Sequence, residues 1–253
     1  MSDDRVKSIV LLSGGLDSLV SFTCACEETD VCLALTFDYG QKAARKEIEA
    51  AHECCRMKGI SHRVLYLDWL AEMTKTALVN RSEDIPEVNE TDLDTTANGP
   101  TETTKKVWVP NRNGLFINIG ATFAESLEVS LIVTGFNREE GDTFPDNSPQ
   151  FVEAMNQSLG LSTLEQVHVI SYTQHLTKAE IVRLGIEKKA PLEKIYSCYL
   201  GEDRMCGQCE SCQRVKRAFK STGNWELIRD RFTSEVLPQT DKPGGKDTGA
   251  DGY

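Results

Sequence analysis

The sequence lacks the long apolar runs and the surplus of basic residues that mark two large classes of protein. It contains no run of about 18 apolar residues, so we predict no membrane-spanning helix. Its first residues, Met-Ser-Asp-Asp-Arg, lack the basic and then apolar order of a secretory signal, which predicts a cytoplasmic protein. With 28 Lys and Arg against 39 Asp and Glu, the net charge is −11, which disfavours broad nucleic-acid binding. We therefore expect neither a membrane nor a stable nucleic-acid partner.

Two common glycine-rich nucleotide motifs are also missing. The chain has neither the Gly-x4-Gly-Lys-Ser/Thr loop nor the Gly-x-Gly-x-x-Gly turn. It has instead Ser-Gly-Gly-x-Asp-Ser at 13–18, between an apolar, β-branched run at 9–12 and a helix pattern at 16–27. Such a turn exposes backbone N–H groups at the positive end of a helix, which favours an anion; an ordinary capped glycine turn is the alternative.

The residues of this turn suit phosphate chemistry. Gly14 and Gly15 lack a Cβ and let a phosphate approach the backbone closely. Ser13 and Ser18 add hydroxyl donors. Asp17 can cap the helix or help to hold Mg²⁺.

Buried strands alternate with helices along the chain. Apolar runs at 32–37, 62–67, 131–134 and 167–170 alternate with helix patterns at 42–58, 115–126, 149–159 and 177–187. This order predicts an α/β fold with a doubly wound parallel sheet. Ligands bind such sheets at the carboxyl ends of the strands, so the turn at 13–18 and the loop at 38–41 are expected to border one crevice.

Two cations stand where they can meet an anion. Arg112 precedes the helix at 115–126, where its forked guanidinium can reach a phosphate or carboxylate; a structural salt bridge is the alternative. Lys178 lies in the first turn of a helix opened by the capping box Thr177-Lys-Ala-Glu180. A cation is unfavourable there against the helix dipole, which suggests pairing with an anionic ligand, unless the side chain is simply solvated.

The nine cysteines divide into two sets. Five lie in apolar contexts, where cysteine behaves as a small apolar residue. The other four have the spacing Cys-x7-Cys-x2-Cys-x2-Cys, and in a reducing compartment we interpret them as the ligands of a closed, structural Zn²⁺ site. An iron–sulfur cluster and thiol redox chemistry are the alternatives. These four are Cys198, Cys206, Cys209 and Cys212.

The same patterns divide the chain into parts. Residues 1–190 form the predicted nucleotide-binding domain, interrupted at about 79–106 by an acidic stretch without periodicity. We expect this stretch to be a flap over the crevice or a disordered insertion. Residues 191–237 are predicted to be a zinc-stapled helical segment, and residues 238–253 a disordered tail.

The turn at 13–18 resembles the PP-loop of the N-type ATP pyrophosphatases, which grip the pyrophosphate of ATP and transfer AMP to a substrate oxygen. Further motifs narrow this resemblance. They are Phe-Asp-Tyr-Gly-Gln at 37–41, Val-Pro-Asn-Arg-Asn at 109–113, Phe-Pro-Asp at 144–146, Leu-Thr-Lys-Ala-Glu at 176–180 and Ser-Cys-Tyr…Cys-Gly-x-Cys-x-Ser-Cys-x-x-Arg at 197–214. From about residue 8 to residue 220 the chain resembles the 7-cyano-7-deazaguanine synthase (QueC) family.

The resemblance implies an ATP-dependent C–N ligase. That family converts 7-carboxy-7-deazaguanine and ammonia into the nitrile, a precursor of queuosine or archaeosine in tRNA. AMP transfer activates the carboxylate, ammonia displaces AMP to give the amide, and a second activation leaves the nitrile. The PP-loop favours AMP and pyrophosphate over ADP and phosphate as products, with Mg²⁺ assisting. Related enzymes often form homodimers.

The resemblance also implies roles for residues at the matching positions. Asp17, Arg112 and Lys178 are the expected catalytic residues. The loop after the second strand lies against adenosine in the family, so Tyr39 and Gln41 are expected ATP contacts. The full predicted ATP-binding set is Leu12, Ser13, Gly14, Gly15, Leu16, Asp17, Ser18, Tyr39 and Gln41.

The substrate side is expected to involve aromatic and acidic residues. Asp146 or Glu139 is the expected acceptor for N–H groups of the deazaguanine edge, and Phe136 or Phe144 is expected to stack on its ring. The run at 137–146 departs from the Glu-Thr-Asp-x-Ser-Gly-Tyr-Pro-Asp of many bacterial members. This departure fits an archaeal-type branch or a ligase that acts on another carboxylate.

Two further functions stay open on the sequence. A thiolase-like tRNA-modifying enzyme would use the same loop but needs a thiolate nucleophile and a basic face, which the acidic balance disfavours. A non-enzymatic, zinc-stapled module would bind ATP without turnover.

Overall fold

The computed structural model describes residues 5–93 and 102–233, so the tail predicted at 238–253 and part of the acidic stretch lie outside the described residues. The strands span Lys7–Leu11 (β1), Asp30–Asp38 (β2), His62–Tyr66 (β3), Leu131–Thr134 (β4) and His168–Ser171 (β5). The α-helices span Leu16–Glu28 (α1), Ala44–Lys58 (α2), Asp68–Met73 (α3), Glu102–Val107 (α4), Arg112–Ser126 (α5), Arg138–Gly141 (α6), Pro149–Ser162 (α7), Lys178–Glu187 (α8) and Glu210–Ser221 (α9).

The five strands form one parallel sheet in the order β3-β2-β1-β4-β5. The chain winds outward from β1 to β3 and then returns to β4 beside β1, so the order reverses between β1 and β4. On one face α1 contacts α2 and α8, whereas α5 and α7 contact each other. The doubly wound α/β prediction is therefore confirmed, and the switch point where such folds bind ligands lies directly after β1.

Strands β1 and β4, at the switch point, are buried on both sides, as parallel strands between two helical layers must be. Ile9, Val10, Ile132 and Val133 have no exposed surface. These residues come from the apolar runs that predicted the strands, and they fix the backbone from which the loop after β1 departs.

The acidic stretch is more ordered than its composition indicates. It contains a 3₁₀ turn at Glu90–Asp92 and leads into α4. Ile85 and Leu93 are buried, Glu87 pairs in a β-bridge with Cys209, and the N–H of Val88 donates to Gln208 at 3.0 Å. Backbone pairing at Glu87 and Val88 therefore joins the described residues of this stretch to the cysteine-bearing loop. This pairing disfavours the disordered insertion, and the flap over the crevice stays a prediction.

No helix among residues 5–93 and 102–233 has both the length and the apolar character needed to cross a membrane.

Candidate active site

A cavity of about 230 Å³ lies at the carboxyl ends of β1, β2 and β4, at the switch point of the sheet. The loop after β1, the loop after β2 and the first turns of α1, α5 and α8 surround it. Its wall contains these residues that the sequence analysis singled out: Leu12, Ser13, Gly15, Leu16, Asp17, Ser18, Tyr39, Gln41, Arg112, Phe136 and Lys178. The cavity therefore brings together most of the predicted ATP-binding residues with the two predicted cations.

The glycine turn is shaped by close backbone packing. Gly14 has a φ of 79°, and a Cβ built on it would lie 2.7 Å from the carbonyl oxygen of Glu47. Gly14 lies behind the loop, outside the cavity wall, and its carbonyl accepts the N–H of Tyr196 at 2.9 Å. Only glycine combines this dihedral angle with this contact, so the turn holds the start of α1 at a fixed place.

Two hydroxyls brace the front of the turn. Ser13 and Ser18 lie 3.0 Å apart at their Oγ atoms, and Ser18 also donates to the carbonyl of Gly15 at 3.2 Å. Gly15 is the N-cap residue of α1, and its cap lacks a side-chain hydrogen bond. The N–H of Gly15 donates to the Ser13 hydroxyl and that of Leu16 to the Ser197 hydroxyl, both at 3.4 Å. The N–H groups of Asp17 and Ser18 are left for an anion, whose charge the helix dipole favours.

A buried charge cluster closes one side of the cavity. The ammonium of Lys178 donates to the carboxylate of Asp17 and, at 2.6 Å, to that of Glu140. The Lys178 side chain is only 5% exposed, whereas that of Glu140 is 32% exposed. The second oxygen of Asp17, Oδ1, is buried and has no hydrogen-bond partner. An unpartnered carboxylate oxygen beside a phosphate site fits a divalent cation such as Mg²⁺.

Burial and the mutual charges of the cluster shift the pKa values of Asp17, Lys178 and Glu140. Burial raises the pKa of Asp17 to about 6, although Lys178 opposes this. Burial disfavours the charge of Lys178, but Asp17 and Glu140 outweigh it and raise the pKa of the ammonium. Burial would also raise the pKa of Glu140, but Lys178 outweighs it and lowers that pKa. Lys178 and Glu140 are therefore charged at neutral pH, and Asp17 is the group that is protonated most easily.

Arg112, the first residue of α5, lines the same cavity as this cluster. Its Nη1 donates to the hydroxyl of Tyr39 at 2.8 Å, and its guanidinium carbon lies 5.5 Å from the centroid of the Tyr39 ring. Tyr39 is itself buried in the loop after β2. The guanidinium is thus stacked and oriented by the loop that the sequence analysis assigned to adenosine.

Gln41 braces the same loop. Its Oε1 accepts the N–H of Tyr39 at 2.9 Å, and its amide donates to the carbonyl of Phe37 at 3.1 Å and to Glu47 at 2.8 Å. Gln41 is 4% exposed. These bonds occupy both amide hydrogens, so the side chain positions Tyr39 in addition to bordering the cavity.

A smaller cavity of about 60 Å³ adjoins the first and shares Arg112, Glu140 and Tyr199 with it. Trp108 and Phe144 line this second cavity as a parallel pair, with ring centroids 5.9 Å apart. Asp146 also lines it, accepts the backbone N–H of Asn113 at 3.4 Å, and has a pKa that burial raises against the pull of Arg112. Two of the predicted substrate residues, Phe144 and Asp146, therefore share one small pocket.

The other predicted acid does not reach either cavity. The Oε1 of Glu139 accepts the N–H of Lys178 at 2.8 Å, and its Oε2 accepts Arg214 at 3.1 Å and Arg217 at 3.3 Å. These donors turn the Glu139 carboxylate toward α8 and α9. Its neighbour Glu140 lines both cavities instead. Phe136 lines the larger cavity and meets Phe151 edge-on at 6.2 Å.

The four clustered cysteines meet as a possible metal centre. Their Sγ atoms all lie within 4.8 Å of one another, and those of Cys206 and Cys212 lie 3.8 Å apart. A tetrahedral Zn²⁺ site with bonds of about 2.3 Å has sulfur–sulfur distances of about 3.8 Å. Backbone N–H groups of Cys206 and Leu200 each approach the Cys198 sulfur to 3.4 Å, which stabilises a thiolate. The cluster fits zinc.

Comparison with known proteins decides the family. The family described as "Queuosine biosynthesis protein QueC" matches residues 7–223. The chain belongs to the QueC family. A 7-cyano-7-deazaguanine synthase of Pelotomaculum thermopropionicum is 53% identical over 218 residues, 86% of this QueC-family chain and 98% of that protein. The synthase of Methanosarcina barkeri is 49% identical over 231 residues, 90% of this chain and 99% of that protein. The synthase of Carboxydothermus hydrogenoformans is 54% identical over 213 residues, 84% of this chain and 97% of that protein.

Several cavity residues of the QueC-family chain escaped the sequence analysis. Ser197, Tyr199 and Ser211 line the larger cavity, and each is next to a cysteine of the cluster in the sequence. The Ser-Cys-Tyr motif at 197–199 contains two of these residues, but only its cysteine was interpreted, as a metal ligand. Glu140 escaped because its neighbour Glu139 has the same chemistry and α6 is too short to show which of them faces the cavity.

No cysteine lines the larger cavity of this QueC-family chain, and all nine cysteines lie within the described residues. Burial raises the pKa of Cys54 and Cys55 to about 12 and that of Cys24 and Cys26 to about 11. Such thiols stay protonated at neutral pH and are poor nucleophiles.

Proposed function

We propose that this chain converts 7-carboxy-7-deazaguanine and ammonia into 7-cyano-7-deazaguanine at the expense of ATP. The observation that carries the proposal is the junction of two cavities at Arg112 and Glu140. One cavity begins at the glycine turn and suits the phosphates of ATP. The other holds an aromatic pair and Asp146, and it suits a flat heterocycle with N–H donors.

The first step is adenylation of the substrate. A carboxylate oxygen attacks the α-phosphorus of ATP, and the bond to the β-phosphate oxygen breaks, which releases pyrophosphate. The N–H groups at the start of α1 and the α1 dipole stabilise the negative charge on the leaving group. Arg112 and Lys178 offset charge from two sides of the cavity.

The next steps form the amide and then the nitrile. Ammonia attacks the carbonyl carbon of the adenylate, and AMP leaves with one oxygen. The amide oxygen then attacks a second ATP, and loss of AMP and of the N–H protons leaves the nitrile. The Glu140 carboxylate, which is partly exposed in the cavity and charged at neutral pH, is placed to accept protons from the nitrogen.

Two metals belong to this proposal. Asp17, through its unpartnered Oδ1, would hold a Mg²⁺ that neutralises phosphate charge. The four cysteines would hold a structural Zn²⁺, because a complete set of thiolates leaves no open position for water.

Ammonia as the nitrogen donor, a cytoplasmic location and a homodimer also stay predictions. Leu161 and Leu164, both 92% exposed on or just after α7, are compatible with a second copy covering this face. Light scattering of the purified chain tests the dimer.

The test of the function is direct. The purified chain is incubated with ATP, Mg²⁺, ammonium and 7-carboxy-7-deazaguanine, and the mixture is followed by mass spectrometry. We expect first the amide and then the nitrile, both dependent on ATP. Absence of both products, together with AMP release that the substrate does not stimulate, would overturn the proposal. A gel shift with bulk tRNA at moderate salt tests the tRNA-modifying alternative.

A further inference from the structure

The chain around Cys198 connects the metal centre to the phosphate loop. Cys198 contributes its sulfur to the four-cysteine cluster. The residues on either side of it, Ser197 and Tyr199, line the larger cavity. This alternation is typical of extended backbone, where successive side chains point to opposite sides. A single short segment therefore presents one face to the metal site and the other to the active site.

Ser197 lies against the start of α1. Its Oγ accepts the N–H of Leu16 at 3.4 Å, and a Cβ built on Gly15 would lie 3.6 Å from the same oxygen. The preceding residue, Tyr196, donates its N–H to the carbonyl of Gly14 at 2.9 Å. The segment is thus hydrogen-bonded to the glycine turn at two successive residues.

The position of this hydroxyl suits a phosphate. A serine hydroxyl accepts through its oxygen and still has a proton to donate. While the Ser197 oxygen accepts from Leu16, its own O–H can point to a phosphate oxygen at the helix N-terminus. A hydrogen bond to such a charged acceptor is stronger than one between neutral groups.

The metal centre holds this hydroxyl in place. The N–H of Ser197 donates to the Met205 sulfur at 3.4 Å, and Met205 immediately precedes Cys206. The N–H of Cys206 in turn approaches the sulfur of Cys198 to 3.4 Å. Both chain segments that fix Ser197 therefore carry a cysteine of the cluster, and a bound metal removes their freedom to separate.

We propose that Ser197 is a phosphate-positioning residue of the ATP site and that the four-cysteine metal centre holds it there. This inference rests on the proposed function, since it requires ATP in the larger cavity. It gives the metal centre a task beyond holding the C-terminal segment, because the affinity for ATP then depends on the metal.

The test compares ATP binding to the zinc-loaded wild type, Ser197→Ala, Ser197→Thr and the control Ser221→Ala. Ser221 lies at the end of α9, and its hydroxyl donates to the carbonyl of Ala218 at 3.0 Å. Isothermal titration gives Kd for Mg-ATP, elemental analysis gives zinc per chain, and steady-state kinetics give KM for each substrate.

We expect Ser197→Ala to raise Kd and KM for ATP about tenfold, as loss of a hydrogen bond to a charged group does. KM for the carboxylate substrate and the zinc content should stay unchanged. Ser197→Thr, which keeps a hydroxyl, should recover most of the affinity, and Ser221→Ala should match the wild type. Unchanged ATP affinity in Ser197→Ala would overturn the inference, as would an affinity loss that only accompanies lost zinc.

Partial zinc removal tests the second half of the inference. Zinc-depleted wild type that keeps its far-ultraviolet circular dichroism should bind ATP about as weakly as Ser197→Ala. Zinc removal from Ser197→Ala should lower its ATP affinity little further. Full affinity in depleted wild type would overturn the link to the metal. A wild type that binds ATP but makes no nitrile overturns only the proposed function, whereas a wild type that binds no ATP overturns both.

Discussion

Lys178 and Asp17 stand 161 residues apart in the chain and form a buried ion pair at the wall of the cavity. Glu140 shares the same ammonium at 2.6 Å, so two carboxylates face one cation. Two carboxylates on one ammonium give the cluster an excess of negative charge when both are ionised. A cation in the first turn of α8 opposes the helix dipole, and these carboxylates explain how it is tolerated.

Removal of the Lys178 ammonium should lower both the stability and the activity of the chain. Lys178→Met leaves the buried Asp17 carboxylate and the partly exposed Glu140 carboxylate without their shared cation, so we expect the free energy of unfolding to fall by about 3–5 kcal/mol. The rate of substrate-dependent AMP release should fall at least about 100-fold. Urea unfolding and an AMP assay measure the two effects.

The matched control for this variant is Lys188→Met. Lys188 also joins α8 to α1, through an exposed ion pair with Glu27 at 2.8 Å. Because such pairs add little, both stability and AMP release should stay close to wild type. Wild-type AMP release by Lys178→Met would contradict the role given to this side chain.

The raised pKa of Asp17 predicts a specific pH dependence of stability. Its ordinary value is 3.8 and its value in the folded chain is about 6. A carboxyl whose pKa is raised by folding contributes stability below its ordinary pKa and loses it as pH rises through the folded pKa. As pH rises from about 5 to 6, the free energy of unfolding of the wild type should therefore fall by about 1 kcal/mol more than that of Asp17→Asn. Urea unfolding of both proteins at several pH values in this range measures the difference. An equal change of the free energy of unfolding in the two proteins would contradict the raised pKa of Asp17.

The glycine turn should be intolerant of a side chain for steric reasons. In Gly14→Ala the new Cβ meets the Glu47 carbonyl oxygen at 2.7 Å in a left-handed conformation. We expect a loss of about 3 kcal/mol in stability, together with weaker ATP binding. Gly59→Ala provides the comparison, since its φ is 69° but nothing lies within 4 Å of the added Cβ. That variant should lose only about 1 kcal/mol and bind ATP normally. Equal losses in the two variants would mean that packing behind the loop is unimportant.

The cysteine cluster should bind one zinc ion per chain. Cys206→Ser removes one of four ligands, so we expect elemental analysis to find little zinc after dialysis and thermal unfolding to occur at a lower temperature. Cys26→Ser, outside the cluster, should keep its zinc. Iron and absorbance in the visible range in the wild type would point instead to an iron–sulfur cluster.

Features that depend on neighbouring residues were predictable from the sequence. Strand β4 has the bounds that its apolar run predicts, and the capping box that joins Thr177 and Glu180 is present in both directions. The glycine turn and the cysteine spacing belong to the same group, because a short stretch of chain determines each of them.

Features set by distant partners were not predictable. Glu139 and Glu140 are indistinguishable in sequence, and the donors that separate them, Arg214 and Lys178, come from α9 and α8. Ile85 and Leu93 give no periodic signal within an acidic stretch, yet both are buried. Ser197 reaches the phosphate loop only because the chain folds back around the cysteine cluster.

The central claim is that AMP is transferred to a substrate oxygen in both activation steps. Tracing the two carboxylate oxygens into the products tests it most directly. The chain is supplied with 7-carboxy-7-deazaguanine labelled with ¹⁸O in both carboxylate oxygens, and the released nucleotides are analysed by mass spectrometry. Adenylation at both steps predicts that each AMP carries one labelled oxygen and that two AMP form for every nitrile. Label in inorganic phosphate with ADP as the nucleotide product, or AMP without label, would contradict it.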